Sequence, residues 1–191
     1  MHIRPSEPLR LFFALWPDDS TRAALAQLQT GMQGRFVPYG NLHLTLSFLG
    51  RQPASRLPLL TALMHQLPPA VPILSLDRLG YFPRKRVAWA GMHRVPEALQ
   101  ALHHELQQAL RRADIPFDNQ QHFKPHVTLA RDASLPPDSG FNAIVWQANR
   151  MALVQSTTQA SGSSYQVLAA RPLEHPYRTQ NEAGASAPDG G

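Results

Sequence analysis

One four-residue pattern occurs twice in this chain, and both copies alternate polar with apolar side chains. His43-Leu44-Thr45-Leu46 recurs as His126-Val127-Thr128-Leu129. Alternation with a period of two predicts β-strands, because successive side chains of a strand point to opposite faces of its sheet. Each strand would then bury its two apolar side chains and present its histidine and threonine together on the other face. The repeat also suggests an internal duplication within one domain.

The segments around the two copies predict a mixture of helices and strands. One helix is expected to end at Gly31 and Gly34, and Gly50 is expected to stop the first motif strand. Strands are predicted at 11–15, 43–49, 73–79, 86–91, 126–131, 142–155 and 165–170, and two further helices at about 55–67, with Pro58 in its first turn, and at 96–115, with Pro96 at its first position. Several strands follow one another directly, which predicts an α+β fold with antiparallel sheets.

Composition restricts the classes of protein that this chain can belong to. Hydrophobic residues make up 43% and charged residues 16%, as in folded globular proteins. The absence of cysteine excludes disulfides, zinc ribbons, iron–sulfur clusters and a thiol nucleophile. The formal net charge is +5, and nearly all of the positive charge is arginine, with lysine only at positions 85 and 124. Guanidinium groups suit phosphate, so the balance favours anionic partners.

The ends of the chain and its apolar runs bear on location and domain organisation. The first ten residues are polar with two prolines, and no apolar run reaches the length of a membrane span. A cytoplasmic protein without a membrane segment is therefore expected. Residues 178–191 consist mostly of Gly, Ala, Ser, Pro and acidic residues. This composition predicts a disordered tail after a single domain at 1–177.

The paired imidazoles and hydroxyls favour acid–base chemistry on a phosphate ester. Histidine titrates near neutral pH and can act as an acid or as a base. In an in-line displacement the attacking and leaving oxygens lie on opposite sides of phosphorus, so one histidine is needed on each side. The hydroxyls of Thr45 and Thr128 could donate hydrogen bonds to the non-bridging oxygens. This chemistry requires neither a metal nor a cofactor.

Other histidines and one arginine are weaker candidates. Strict alternation places Arg131 on the face opposite His126, and it reaches the site only if the strand ends or bulges near Ala130. Otherwise it forms a surface pair. His122 and His126 have the spacing of helical metal ligands, but Pro125 between them argues against a helix and therefore against a metal site. The histidines at 103 and 104 are expected on a solvated helix face.

The basic turn Arg84-Lys85-Arg86 has two alternative interpretations. With Tyr81 and Phe82 beside it, the turn could hold RNA phosphates while an aromatic ring stacks on a base. In the other interpretation it is a solvated hairpin tip whose aromatic side chains pack inward.

The two motif segments, His43 to Leu46 and His126 to Leu129, resemble together with their flanks the two-histidine (2H) phosphoesterase superfamily. Within it they resemble the bacterial and archaeal RNA 2′,3′-cyclic phosphodiesterases, also called 2′-5′ RNA ligases. The two His-x-Thr segments are the specific part of this resemblance. It covers nearly the whole chain except the tail and is carried by residues 10–15, 41–50, 87–92, 123–132 and the region from Ser156 to Tyr165.

The resemblance implies a bilobal fold with two antiparallel sheets flanked by helices around a central cleft, related by an internal pseudo-two-fold. It implies hydrolysis of a terminal RNA 2′,3′-cyclic phosphate to a 2′-phosphate, and a reverse type of reaction that joins RNA ends through a 2′,5′ bond without ATP. It implies His43 as proton donor, His126 as proton acceptor, and phosphate binding by Thr45, Thr128 and Arg131. A monomer that acts on RNA ends such as those of tRNA halves, with no metal or cofactor, is expected.

Three alternatives stay open at this point. The same fold could act on another cyclic or 2′,5′-linked nucleotide, such as ADP-ribose cyclic phosphate or oligoadenylate. The chain could be an inactive module that binds RNA or nucleotides, although a pure binder does not need a matched acid and base. In the third alternative the motifs are coincidental in a structural protein. His43→Ala and His126→Ala would then leave any phosphoesterase activity unchanged.

Overall fold

The structure, a computed structural model, describes residues 8–119, 122–137, 140–159 and 162–173. Within these residues the fold is α+β. The strands are β1 Pro8–Leu15, β2 Arg35–Phe36, β3 Leu44–Pro53, β4 Ile73–Leu76, β5 Arg78–Phe82, β6 Val87–Gly91, β7 His126–Arg131, β8 Ile144–Gln147, β9 Arg150–Gln159 and β10 Gly162–Pro172. The α-helices are α1 Asp19–Gln27, α2 Leu57–Gln66 and α3 Glu97–Arg112. The predicted tail at 178–191 and the domain boundary at 177 lie outside the described residues.

Two antiparallel halves meet at the motif strands. One half has the strand order β10-β9-β1-β3, and the other has the order β7-β6-β5 with β2 also paired to β7. The halves are joined where Leu44 of β3 pairs with Val127 of β7. A separate two-stranded sheet consists of β4 and β8. The predicted α+β fold with antiparallel sheets is confirmed, and its two motif strands lie next to each other at the centre.

The helices cover the sheet through their apolar faces. In α3, Leu99, Leu102, Leu106 and Leu110 are buried, as the helical spacing predicts. Pro96 is the N-cap of this helix rather than its first residue, because its backbone is still extended (φ −61°, ψ 142°). Helix α2 carries its proline in the first turn, as predicted. No helix in the described part of the chain is long and apolar enough to span a membrane.

Strand β1 is buried on both of its faces. Leu11, Phe13 and Leu15 belong to the main core. The intervening Phe12 and Ala14 form a second, smaller cluster on the opposite face, together with residues of β9. Burial on both faces explains why this segment is continuously apolar in sequence, since neither face has to meet water.

Several predicted boundaries are wrong, and four of them have a clear physical reason or change the topology. Gly50 does not stop β3, because its positive φ of 65° accompanies a bulge after which the strand continues to Pro53. Helix α1 ends at Gln27 rather than at Gly31 and Gly34, and the backbone N–H groups of Leu28 through Thr30 form tighter i→i+3 hydrogen bonds. The predicted strand at 73–79 is divided at Asp77, whose carboxylate accepts the backbone N–H of His93. The segment 142–155 contributes β8 and β9 to two different sheets.

Candidate active site

The pairing of β3 with β7 brings the two motif histidines together. His43 directly precedes β3 and His126 is the first residue of β7, so each histidine is adjacent to the Leu44–Val127 pair that joins the halves. Both side chains are half-buried. They are close enough that a charge on His126 lowers the pKa of His43. The two imidazoles therefore lie near each other where the halves join.

A backbone carbonyl fixes the proton position on each imidazole. Nδ1 of His43 lies 2.6 Å from the carbonyl oxygen of Asn41, and Nδ1 of His126 lies 2.7 Å from that of Lys124. A carbonyl oxygen can only accept a hydrogen bond, so Nδ1 carries the proton in both rings. In the neutral ring Nε2 is then left with its lone pair. In both motifs the accepting carbonyl lies two residues before the histidine, so the internal symmetry extends to these hydrogen bonds.

The motif threonines lie on the same strand faces as their histidines. Oγ1 of Thr45 is 3.1 Å from Nε2 of His43. Thr128 is half-buried like His126, whereas the apolar residues that alternate with them in both motifs are at most 3% exposed. The division of each motif into a polar face and a core face is as the alternation predicts.

A bulge in β7 returns Arg131 to the face of His126. Thr128 pairs with Trp89, but Ala130 pairs with Ala88, so Leu129 is skipped in the register. Leu129 and Ala130 are both fully buried, which breaks the alternation by one residue. The positive charge of Arg131 lowers the pKa of both motif histidines. The condition under which Arg131 can reach the site is therefore met.

Burial favours the neutral form of both histidines. Desolvation is the largest cause that lowers the pKa of His43, to about 4, and the charges of Arg131 and His126 add to it. The hydrogen bond to Asn41 raises this pKa but does not compensate. Desolvation also lowers the pKa of His126, with further contributions from Lys85 and Arg131. Near pH 7 the free protein thus holds two neutral imidazoles.

Three aromatic rings surround His43. Trp16 stacks on its imidazole with ring centroids 5.7 Å apart and an interplanar angle of 16°. Phe12 lies at 4.9 Å and Tyr165 approaches edge-on at 5.1 Å. Sequence reasoning missed these contacts because β1 and β10 are far apart in the chain. The continuously apolar sequence of β1 was the only signal that both of its faces are covered.

Two aromatic rings lie beside His126, and the charge of Lys85 lowers its pKa. Phe82 meets its imidazole edge-on at 5.1 Å, and Trp89 lies at 6.0 Å. Tyr81 is not part of this group, because its hydroxyl donates to the backbone oxygen of Ala133 at 2.8 Å and its ring packs against the core. Of the two aromatic residues next to the basic turn, Tyr81 and Phe82, only Phe82 therefore lies beside His126.

The other candidate histidines lie elsewhere. His103 is half-buried rather than solvated, because its ring stacks on Phe123 with centroids 3.7 Å apart and an interplanar angle of 6°. His104 is exposed, as predicted. Among residues 8–119, 122–137, 140–159 and 162–173, no three His, Asp or Glu side chains come together as a group that could hold a metal ion.

Two motif segments that each present a histidine and a threonine to one face define a two-histidine site on an antiparallel α+β scaffold. The family model of the 2′-5′ RNA ligase superfamily matches residues 17–159. The chain belongs to this superfamily.

Similar proteins carry a consistent name. An Escherichia coli (strain K12) protein named RNA 2′,3′-cyclic phosphodiesterase is 37% identical over 145 residues, which cover 72% of this chain and 81% of that protein. A Thermus thermophilus protein of the same name is 35% identical, and the match covers 95% of this chain and all of that protein.

Solved structures of similar proteins share the fold. Escherichia coli LigT complexed with 3′-AMP superposes with a TM-score of 0.75 at 32% identity, covering 88% of this chain and 100% of that one. A structure described as a phosphoesterase gives a TM-score of 0.77 at 31% identity with the same coverage. The fold expected from the resemblance, that of the 2H phosphoesterases, is confirmed.

Proposed function

We propose that this protein hydrolyses the 2′,3′-cyclic phosphate at the end of an RNA to a 2′-phosphate, with His43 and His126 as general acid and base. The observation that carries the proposal is the matched pair of imidazoles on adjoining strands, each with Nδ1–H held by a backbone carbonyl. This arrangement leaves Nε2 of both neutral rings without a proton, so that each can take part in proton transfer once substrate is bound. In the free protein Nε2 of His43 accepts a hydrogen bond from the hydroxyl of Thr45. The names of the similar proteins support the choice of substrate.

The proposed reaction is an in-line displacement at phosphorus. Nε2 of His126 accepts a proton from water as the water oxygen bonds to phosphorus opposite O3′. The P–O3′ bond breaks, and Nε2 of protonated His43 donates its proton to O3′, which leaves a 2′-phosphate and a 3′-hydroxyl. The assignment of donor and acceptor follows the family resemblance, since the two hydrogen-bonding environments are nearly equivalent.

The remaining site residues act on the phosphate itself. The hydroxyls of Thr45 and Thr128 donate hydrogen bonds to the non-bridging oxygens, where negative charge concentrates in the transition state. The guanidinium of Arg131 balances that charge from the same face. The bound anion also raises the pKa of the acid, because a negative charge beside a half-buried imidazole stabilises its protonated form. The substrate thus helps to protonate the group that has to donate a proton.

The wider biological setting is part of the same proposal. The substrates are RNA ends with a cyclic phosphate, including those of tRNA halves, and the chain acts as a cytoplasmic monomer through its single domain at 1–177. The chemistry assigned to the two histidines requires no metal and no cofactor.

A short RNA that ends in a 2′,3′-cyclic phosphate, incubated with the protein in EDTA, tests the proposal. We expect a 2′-phosphate product, and we expect His43→Ala and His126→Ala each to lower kcat by about 10²- to 10⁴-fold, the usual contribution of a general acid or base. His103→Gln is the matched control, since His103 is also half-buried with a pKa lowered to about 4 but lies outside the site.

Two results would overturn this scheme. Activity that disappears in EDTA would point to a metal, and full activity in both alanine variants would show that the motif histidines do not act. If the wild type leaves the RNA intact, small cyclic nucleotides and 2′,5′-linked nucleotides are the next substrates to test, followed by simple RNA binding.

A further inference from the structure

A bulge in β3 places Phe48 on the face of the sheet that carries His43. The register of β3 with β1 skips Leu46. Leu46 and Ser47 are both buried, which breaks the alternation by one residue, and Phe48 beyond them is 48% exposed. The ring of Phe12, which contacts His43, also contacts the ring of Phe48, with centroids 5.9 Å apart. An exposed ring therefore lies on the same face as the motif histidine.

Phe48 is the counterpart of Arg131 in the internal repeat. Each residue comes five positions after its motif histidine, and each follows a bulge that buries two successive residues of the strand. The carbonyl oxygen of Phe48 accepts the backbone N–H of Asp118 at 2.8 Å, which holds the backbone of Phe48 in place. One motif thus leads to a cation, and the other leads to an exposed ring that suits stacking on a nucleobase.

Two arginines lie on the same face, farther from His43. Arg10 of β1 pairs directly with Arg51 of β3, and both side chains are exposed. Residues two apart on a strand share a face, so Arg10 lies on the face of Phe12. Residues directly opposite each other also share a face, so Arg51 lies there too. These two residues are here called the arginine pair.

The arginine pair has no acidic partner in the described part of the chain. No carboxylate among the residues that the structure describes forms a salt bridge with Arg10 or Arg51. Like charges directly opposite each other destabilise a sheet. A phosphate between the two guanidinium groups offsets this repulsion, and guanidinium groups bind phosphate well. The arginine pair is therefore better suited to bind an anion than to stabilise the sheet.

These groups are arranged in a row that starts at the reacting end of the substrate. Thr45, which faces the reacting phosphate, pairs with Ala14 of β1, and Arg10 lies four residues farther along that strand. At about 3.3 Å per residue the separation is about 13 Å. A cyclic mononucleotide has no second phosphate that could reach so far, whereas an RNA strand continues in that direction with further bases and phosphates.

We propose that Phe48 and the arginine pair bind the RNA strand on the 5′ side of the cyclic phosphate. Phe48 stacks on a base near the reacting end, and the arginine pair binds a backbone phosphate farther along the strand. The protein therefore prefers the end of an oligonucleotide to a cyclic mononucleotide. This inference rests on the proposed function, because it extends the same site along the substrate.

Substrates of increasing length test this inference. A mononucleotide with a 5′-hydroxyl, a dinucleotide and a tetranucleotide, each ending in a 2′,3′-cyclic phosphate, differ in the number of backbone phosphates. The value of kcat/KM for hydrolysis is measured for each at constant pH. The length preference is the ratio of kcat/KM for the tetranucleotide to that for the mononucleotide. We expect a ratio of about tenfold or more in the wild type, decreasing as salt is added.

The arginine pair should account for the salt-dependent part of this preference. We expect Arg10→Gln and Arg51→Gln each to lower the length preference by about fivefold to tenfold, through the loss of one contact to phosphate. The slope of log kcat/KM against log salt for the tetranucleotide should be shallower by about 0.7 in each variant. Arg112→Gln is the matched control, because Arg112 is exposed at the end of α3, which packs on the opposite face of the sheet.

Two further variants separate binding from stability. Phe48→Leu should lower kcat/KM for the tetranucleotide by about tenfold, and Phe48→Trp should retain it, since a larger ring keeps the stacking surface. Arg51→Glu should remove the length preference. Its carboxylate lies opposite Arg10, so urea unfolding should show a protein at least as stable as the wild type.

The outcomes distinguish this inference from the proposed function. A wild-type protein that hydrolyses none of the three substrates overturns both. Equal kcat/KM values for the three substrates overturn the inference alone. A length preference that survives Arg10→Gln, Arg51→Gln and Phe48→Leu also overturns it, because the strand then lies elsewhere on the protein. Hydrolysis of the longer substrates alone supports the inference if these variants lose it.

Discussion

Nδ1 of His43 lies 2.6 Å from the backbone carbonyl oxygen of Asn41, and this bond orients the imidazole without keeping it charged. The bond favours the protonated ring, but desolvation outweighs it and lowers the pKa of His43 to about 4. His126 has the equivalent bond to Lys124, and its pKa is also lowered. In the free protein both imidazoles are therefore oriented and neutral, and the proposed mechanism requires one of them to gain a proton before it acts as the acid.

The pH dependence of kcat/KM follows from these two lowered pKa values. The proposed mechanism requires one protonated and one neutral histidine, so it predicts a bell-shaped profile whose maximum lies between the two free-enzyme pKa values. Both lie below the ordinary histidine value of 6.5, and we therefore expect the maximum on the acidic side of 6.5. The profile of kcat should lie at higher pH, because the bound anion raises both pKa values. A kcat/KM maximum above about pH 6.5, measured with a cyclic-phosphate RNA, would contradict this.

Much of the site could be predicted from the sequence because strand alternation is a local property. The repeated His-x-Thr pattern by itself identifies which side chains share a face, and the structure buries the alternate residues Leu44 and Val127 completely. The clear helical spacing of α3 and the direct succession of strands likewise predict the α+β class.

The parts that could not be predicted depend on register and on distant strands. The bulge at Leu129 returns Arg131 to the face of His126. A bulge depends on the pairing with the partner strand, and the sequence of the bulged strand alone does not determine it. The rings of Trp16 and Tyr165 reach His43 from segments that are more than a hundred residues apart in the chain. Their convergence follows from the sheet order, which a single sequence does not contain.

The motif threonines should contribute through their hydroxyl groups. Thr45→Val and Thr128→Val keep the shape of the side chain but remove the donor, and we expect each to lower kcat by about 10- to 100-fold, somewhat less than the loss of a main oxyanion donor. Thr45→Ser and Thr128→Ser retain the donor and should keep most of the activity. Single-turnover kinetics with the cyclic-phosphate RNA measure the effect. Equal loss in the serine and valine variants would show that the methyl group matters instead.

Arg131→Gln should affect both binding and titration. We expect KM for the cyclic-phosphate RNA to rise by about tenfold, since a charge-assisted contact to phosphate is lost. Because the charge of Arg131 lowers the pKa of His43 and His126, its removal should also move the kcat/KM maximum to higher pH. Arg35→Gln, which removes a neighbouring arginine already paired with Asp132, should leave the maximum in place. An unmoved maximum in Arg131→Gln would place Arg131 away from the histidines.

Gly80 gives Trp89 the space to lie beside His126. A Cβ atom at position 80 would come within 2.0 Å of the Trp89 ring, so Gly80→Ala must displace the indole. We expect a loss of about 1–3 kcal/mol in the free energy of unfolding, as for other overpacked cores, and lower activity. Gly40→Ala is the control, because nothing lies within 4 Å of a Cβ there. Urea unfolding and the hydrolysis assay measure both effects, and a Gly80→Ala protein with wild-type stability would contradict the packing argument.

His103 should make the fold sensitive to acid independently of catalysis. Desolvation is the main cause that lowers its pKa to about 4, with His104 and Arg111 adding to the effect, and its ring stacks on Phe123 ahead of the second motif. The unfolded chain, with an ordinary pKa near about 6.5, binds this proton first. The contribution of neutral His103 to stability is therefore present above about pH 6.5 and is lost as the pH falls toward about 4.

His103→Gln tests this acid sensitivity. Between about pH 7 and about pH 5 the wild type should lose about 1 kcal/mol of unfolding free energy at this position, a value reduced for solvent screening of a half-buried ring. His103→Gln should lose correspondingly less over the same interval, because glutamine does not titrate. His65→Gln is the control, since His65 is exposed on helix α2 and is not among the charges that lower the pKa of His103. Urea unfolding at each pH measures this dependence. An identical pH dependence in the wild type and in His103→Gln would show that His103 titrates alike in the folded and the unfolded chain.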